Sequence, residues 1–190
     1  MSTQTSLAHP IAEARRLRDR LEHRRSRELR KLTTLLQISQ SLSGTLDLRP
    51  ALQEMFDLLM RHHEVTGAAV VLTEKDRREL QIQAIEGLGR TGHQARLLSG
   101  QGVIARVVES GRQLVVPRLS LEPGIGQQLG IKLASGEDRS FVCMPIQIDR
   151  QTVGALALCL KFDSERNYER ATKFFGVAAS MVGQAVKVRR

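Results

Sequence analysis

The sequence predicts an α+β fold, with a central antiparallel sheet of about five to six strands, the terminal helices on one face, and loops plus short helices on the other. Three observations predict it. Apolar residues recur at helical spacing, without Gly or Pro, from Ile11 to Leu42. The period shortens to that of strands after Thr66-Gly67. A helical stripe returns from about Arg166 to the end.

The elements follow in order. Ala14, Leu17, Leu21, Leu29, Leu32, Leu36 and Ile38 mark one long helix, and the stripe weakens at Arg24-Arg25-Ser26-Arg27. The first half is therefore expected to be poorly buried and the second to pack on the domain. A long amphipathic helix without an intramolecular partner finds an intermolecular one, so residues 1–33 read as an extension that forms a parallel homodimer together with the carboxy-terminal helix, and residues 34–190 as the domain proper. Ser43-Gly44 stops the helix, and Thr45 or Asp47 caps a second one with Pro50 in its first turn. Its inward residues are Leu48, Leu52, Met55, Phe56 and Leu59, and it ends near His63.

Ala68–Leu72 and Leu80–Ile85 read as a hairpin about the charged turn 74–78, the second strand alternating at period two. A loop with several glycines, Gly87 to Gly102, opens a short helix from Val103 to Glu109. Gly111 ends that helix, and Leu114–Pro117 is a strand limited by its proline. Residues 118–136 form a crossover with at most one helical turn, around Gln127 to Ile131. Ser140–Ile148 and Val153–Leu160 make a second hairpin about Asp149-Arg150-Gln151. The closing helix carries Phe174, Val177, Ala178, Met181, Val182, Ala185 and Val186.

The chain has 190 residues, 41% of them hydrophobic, and a formal charge of +9. That suffices for one domain with a core. Residues 1–44 hold nine Lys or Arg against four acids, mixed in the manner of a solvated helix face. With no Trp, one Tyr and five Phe in the chain, a base-stacking surface is not expected, and we expect no direct nucleic-acid contact. No run approaches the ~20 apolar residues that span a bilayer, and no export signal is visible. Cys143 and Cys159 sit in apolar runs, as buried thiols of a reduced, cytoplasmic protein would.

No catalytic constellation emerges. The glycine-containing stretches hold no phosphate-binding loop and no dinucleotide fingerprint. Ser99 lacks the flanking glycines of a nucleophile elbow. His62-His63-Glu64 reads as a helix terminus rather than a metal site, because adjacent histidines leave a helix on different sides. Neither a metal nor a cofactor is expected, nor is enzymatic activity.

Three segments carry a family resemblance. Leu42–Leu52, with Ser43, Leu46, Asp47 and Leu48, resembles the opening of many GAF domains. Gly100-Gln101-Gly102-Val103-Ile104 through Gly111 resembles the segment after their first hairpin, with Ala105 where that family often has Gly. Arg139-Ser140-Phe141-Val142-Cys143-Met144-Pro145-Ile146 resembles a strand of NifA-type nitrogen-fixation activators, and Val153-Gly154-Ala155-Leu156 follows it. The resemblance runs from about residue 34 to residue 188.

It implies a sensor domain ending in an output helix, one that restrains or releases the ATPase of a sigma-54-dependent activator. It also implies a regulatory protein partner or a small-molecule ligand, 2-oxoglutarate being the one the resemblance suggests. Residues 1–142 contain no Cys, unlike the relatives that place an iron–sulfur motif near their amino terminus. Other GAF roles remain as alternatives: a module of a kinase or cyclic-nucleotide enzyme, a stand-alone GAF protein, or a sulfoxide-handling enzyme that would need a better-exposed cysteine pair. On this resemblance the ligand lies between the sheet and its loop-rich cover. Arg139, Phe141 and Cys143 would face it from the strand, with Gly102, Ile104 and Arg106 on the short helix. Free amides at that helix start would favour an anion, and the two arginines would clamp a carboxylate. The competing reading is a collapsed apolar pocket with both arginines on the surface.

Overall fold

The computed structural model describes residues 5–73, 80–88, 102–131, 133–134 and 136–189, with side chains from residue 13 onward. The expected turn 74–78 and most of the Gly87–Gly102 loop lie outside these residues. The elements are α1 (Thr5–Gly44), α2 (Leu48–His62), β1 (Val65–Thr73), β2 (Leu80–Glu86), α3 (Val103–Ser110), β3 (Leu114–Val116), a 3₁₀ turn (Leu119–Leu121), α4 (Pro123–Gln128), β4 (Arg139–Ile148), β5 (Gln151–Lys161) and α5 (Tyr168–Arg189). Two boundaries differ from expectation. α1 starts at Thr5 and runs through Pro10. The crossover's helix opens on Pro123, whose fixed φ suits a first helical position, so it precedes the turn expected around Gln127 to Ile131.

The five described strands are ordered β2-β1-β5-β4-β3, every pair antiparallel. β5 lies in the middle. It alternates large and small residues: Leu156, Leu158 and Leu160 face a core built by α1, α2 and α5, and Ala155, Ala157 and Cys159 face a second core under α3. Gly154 stands where a Cβ would meet the Val71 carbonyl oxygen at 2.2 Å, so β5 and β1 approach too closely there for any side chain. Asp149 and Arg150, with φ of +48° and +67°, form the two-residue turn between β4 and β5. Pro145 lies beyond the last β4 residue paired with β3, where its missing N–H is tolerated. A bulge between Val70 and Val71 interrupts the period-two reading of β2, so that Ala84 faces the helix layer while Ile82 and Ile85 face the other side.

α2 buries the expected Leu52, Met55, Phe56 and Leu59 and also Ala51 and Leu58, with Leu48 half-buried, and Asp47 accepts a hydrogen bond from the Arg49 amide at 3.0 Å as its cap. α1 buries Ile38 of the expected stripe but is otherwise rotated from it. Thr34, Ile38 and Leu42 are its buried line, with Leu35 half-buried, whereas Leu17, Leu21, Leu29, Leu32 and Leu36 are 54–63% exposed. Both lines recur at helical spacing, and the one nearer α2 and α5 is buried. Residues 13–30 are exposed on every side.

Polar contacts pin both ends of the packed part of α1. Thr34 Oγ1 donates to the Arg30 carbonyl and thus accepts from His63 Nε2 at 3.0 Å, while the His63 ring lies 4.3 Å from that of Phe174 on α5. At the other end Arg189, on the last turn of α5, donates through Nη2 to Leu42 O at 2.7 Å and to Thr45 O, through Nε to Leu46 O at 3.0 Å, and through Nη1 to Ala185 O at 2.7 Å. These carbonyls include orphans of the α1 terminus, where a cation also suits the helix dipole. Replacing Arg189 by Met should lower unfolding free energy by about 2 kcal/mol in urea titration, and Lys should restore only part, because it lacks the planar fork. An unchanged denaturation midpoint for Arg189→Met would show that these bonds do not hold the helix layer.

Candidate functional site

The sheet face under α3 is apolar and built of small residues. Ala69 and Val71 of β1, Ala155, Ala157 and Cys159 of β5, and Phe141 and Cys143 of β4 form its floor. α3 lowers Val103, Ile104 and Val107 onto it, and Leu119 and Leu129 of the crossover close one side. The period of the helix sorts its side chains, placing Ile104 inward and Arg106 outward.

The structure brings Gly102, Ile104, Phe141 and Cys143 together, all buried. Arg139 shares their face of β4 but sits at its mouth, half-buried, and its guanidinium makes no ion pair or hydrogen bond among the described residues. Arg106 departs from the expected clamp: it is exposed on the outer side of α3. The helix start is also less open than expected. Gly102 is the N-cap, and the Val103 amide is already taken by Gln128 Oε1 at 3.2 Å.

Asp138, next to Arg139 in sequence, does not pair with its guanidinium, because its carboxylate is engaged elsewhere. Its carboxylate accepts from Arg118 Nε at 2.6 Å, Ser120 Oγ at 2.5 Å, Ser120 N at 3.1 Å and Arg139 N at 2.8 Å. Burial alone would raise its pKa, but the bonds from Ser120, Arg118 and the two amides outweigh that and hold it at about 2. Arg118 in turn lies 5.1 Å over the Phe162 ring. Sequence reasoning missed this knot, because its members are joined across 18 to 20 residues with no local signature.

Both thiols are inert by environment. Burial pushes Cys143 far above the usual thiol range, and it pushes Cys159 up to about 12 despite the opposing charge of Arg139. Among the described residues the face therefore offers an apolar floor, with the Arg139 guanidinium uncommitted at its rim.

Residues 47–186 match the family model of the GAF domain. The chain belongs to the GAF domain family. The nitrogen fixation protein VnfA of Azotobacter vinelandii is 29% identical over 161 residues, covering 83% of this chain and 31% of that protein. A Nif-specific regulatory protein of Herbaspirillum seropedicae is 28% identical over 165 residues, covering 84% and 30%. The chain thus spans about a third of the length of these curated relatives. Among solved structures, the GAF domain of A. aeolicus nlh2 in an inactive state superposes with a TM-score of 0.67 at 18% identity, covering 86% of this chain and 99% of that one. A free methionine-R-sulfoxide reductase from Neisseria meningitidis, in complex with its substrate, does so with 0.63 at 18% identity, covering 84% and 90%. At such identities these superpositions speak for the fold alone. No helix among the described residues is long and apolar enough to cross a membrane.

Thiol titration checks the chemistry of the face. In the native GAF domain Cys143 and Cys159 should stay unreactive toward an aromatic disulfide reagent at mildly alkaline pH and react fully in denaturant. Prompt modification of either native thiol would place it in an exposed, activated setting.

Proposed function

We propose that this GAF domain is the regulatory, signal-sensing domain of a NifA-type sigma-54-dependent activator, controlling the activator's ATPase and so nitrogen-fixation gene expression. The observation that carries it is the span of the two relatives, a nitrogen fixation protein and a Nif-specific regulatory protein, along most of this chain. The role is cytoplasmic and non-enzymatic. The buried, unactivated cysteines and the absence of a catalytic constellation in the sequence support that part. α5 is the output helix, since it packs along β4 and also grips the end of α1 through Arg189.

The ligand in this reading is a small dicarboxylate such as 2-oxoglutarate. In this reading one carboxylate pairs with Arg139 at the rim, and Ile104, Phe141 and Cys143 beside Gly102 form the apolar wall next to it. Isothermal titration tests it. The wild type should give saturable heat at millimolar 2-oxoglutarate, and Arg139→Ala should weaken binding at least about tenfold, the worth of one charge-assisted contact. No heat, or heat indifferent to Arg139, would sink the site while leaving the regulatory assignment to stand on its relatives.

The second part of the reading is a homodimer through α1. Leu29, Leu32 and Leu36 lie exposed along one side of the helix, with Leu17 and Leu21 further out, and a leucine strip of this kind buries itself against a second copy. Light scattering should give twice the 21.2 kDa chain mass, and Leu32→Glu with Leu36→Glu should return the monomer. A wild-type monomer at tens of micromolar would refute the dimer.

A further inference from the structure

An open groove of about 980 Å³ runs between the free part of α1 and the domain, on the side remote from α3. One face of α1 lines it with Arg20, His23, Arg24, Arg27, Arg30 and Lys31, at helical spacings of three and four that bring them onto one side. His62, His63, Arg166 and Arg170 stand opposite. The α1 face thus carries five Lys or Arg against Asp19 and Glu28, whereas the opposite wall sets Arg166 and Arg170 against Glu64, Asp163 and Glu165, so the excess positive charge of the groove lies on α1.

The acids of α1 leave this excess in place. Glu28 is engaged by Lys31 at 3.3 Å, and on the opposite wall Glu64 is engaged by Arg166 at 2.7 Å. Arg20, Arg24, Arg27, Arg30 and Arg170 make no ion pair among the described residues. The field is felt inside the domain. His63 is held at about 4 by its burial first and then by the charges of His62, Lys31 and Arg30.

From this charge complementarity we infer that the groove docks an acidic segment of a partner protein, with carboxylates laid along the Arg20–Lys31 face of α1. From Arg20 to Lys31 the helix rises roughly 16 Å, which matches about five residues of extended chain. Polypeptide fits better than nucleic acid. The groove's Phe174 and Phe175 are buried rather than presented for base stacking. The surface is distinct from the α3 face, and the exposed Leu29, Leu32 and Leu36 lie outside the groove lining, so neither a bound ligand nor a second copy of the chain would occupy it.

The probe is a fluorescein-labelled pentaglutamate peptide, titrated with the full chain at low ionic strength and followed by anisotropy. Saturable binding is expected, weakened about fivefold or more by Arg24→Glu with Arg27→Glu. The charge-matched pair Arg49→Glu and Arg112→Glu, exposed but outside the groove, should stay within about twofold of the wild type. Circular dichroism verifies helicity, and Arg24→Gln with Arg27→Gln carries the comparison should the reversed pair unfold. Equal losses in both charge-reversed pairs, no saturable binding, or tighter binding of a single-stranded or duplex oligonucleotide that depends on Arg24 and Arg27 would overturn the assignment.

Discussion

β5 must satisfy two demands together. It is hydrogen-bonded along both edges, to β1 and β4, and buried on both faces. A strand so placed cannot alternate apolar with polar, so it alternates in size instead. Its leucines raise a thick layer on which α2 and α5 rest, and its alanines let α3 settle close to the opposite face. Exchanging the two sets by a one-residue slip would put leucines beneath α3 and leave gaps beneath the long helices. The separation of structural core from candidate site therefore follows from the order of residues in this one strand.

The helix layer adds a second principle. Only the segment from Thr34 to Leu42 joins α1 to the core, a little over two turns, and hydrophobic contact over so short a length leaves rotation about the helix axis weakly determined. His63 and Arg189 supply direction at its two ends, one through a threonine hydroxyl and the other through backbone carbonyls. The regulatory reading depends on this. An exposed amino-terminal helix can report to the carboxy-terminal one only if both are held to the same frame, and Arg189 joins them directly.

Much of this was legible in the sequence. The alternation in residues 139–148 and 153–160 places Arg139, Phe141 and Cys143 on one face, and the apolar spacing of α2 predicts Leu52, Met55, Phe56 and Leu59 of its buried side but not Ala51 and Leu58. The outward position of Arg106 was also within reach, since the period that buries Ile104 and Val107 turns it away. The rotation of α1 was not legible, because two lines of helical spacing coexist on it and only the location of α2 and α5 chooses between them. Nor could local patterns disclose the Arg118–Asp138 knot or the grip of Arg189, which unite residues far apart along the chain. Burial could be read from periodicity, whereas the polar contacts that orient the buried parts could not.

The grip of Arg189 has a mechanical character of its own. A guanidinium is planar and rigid, and its four hydrogen bonds to carbonyl oxygens need alignment within a few tenths of an ångström. Turning α5 by one residue position, about 100°, would carry the fork away from the Leu42, Thr45 and Leu46 carbonyls at once, while its bond to Ala185 would travel with the helix. The end of this helix therefore behaves like a detent rather than a spring, seated or released, with no stable stops between.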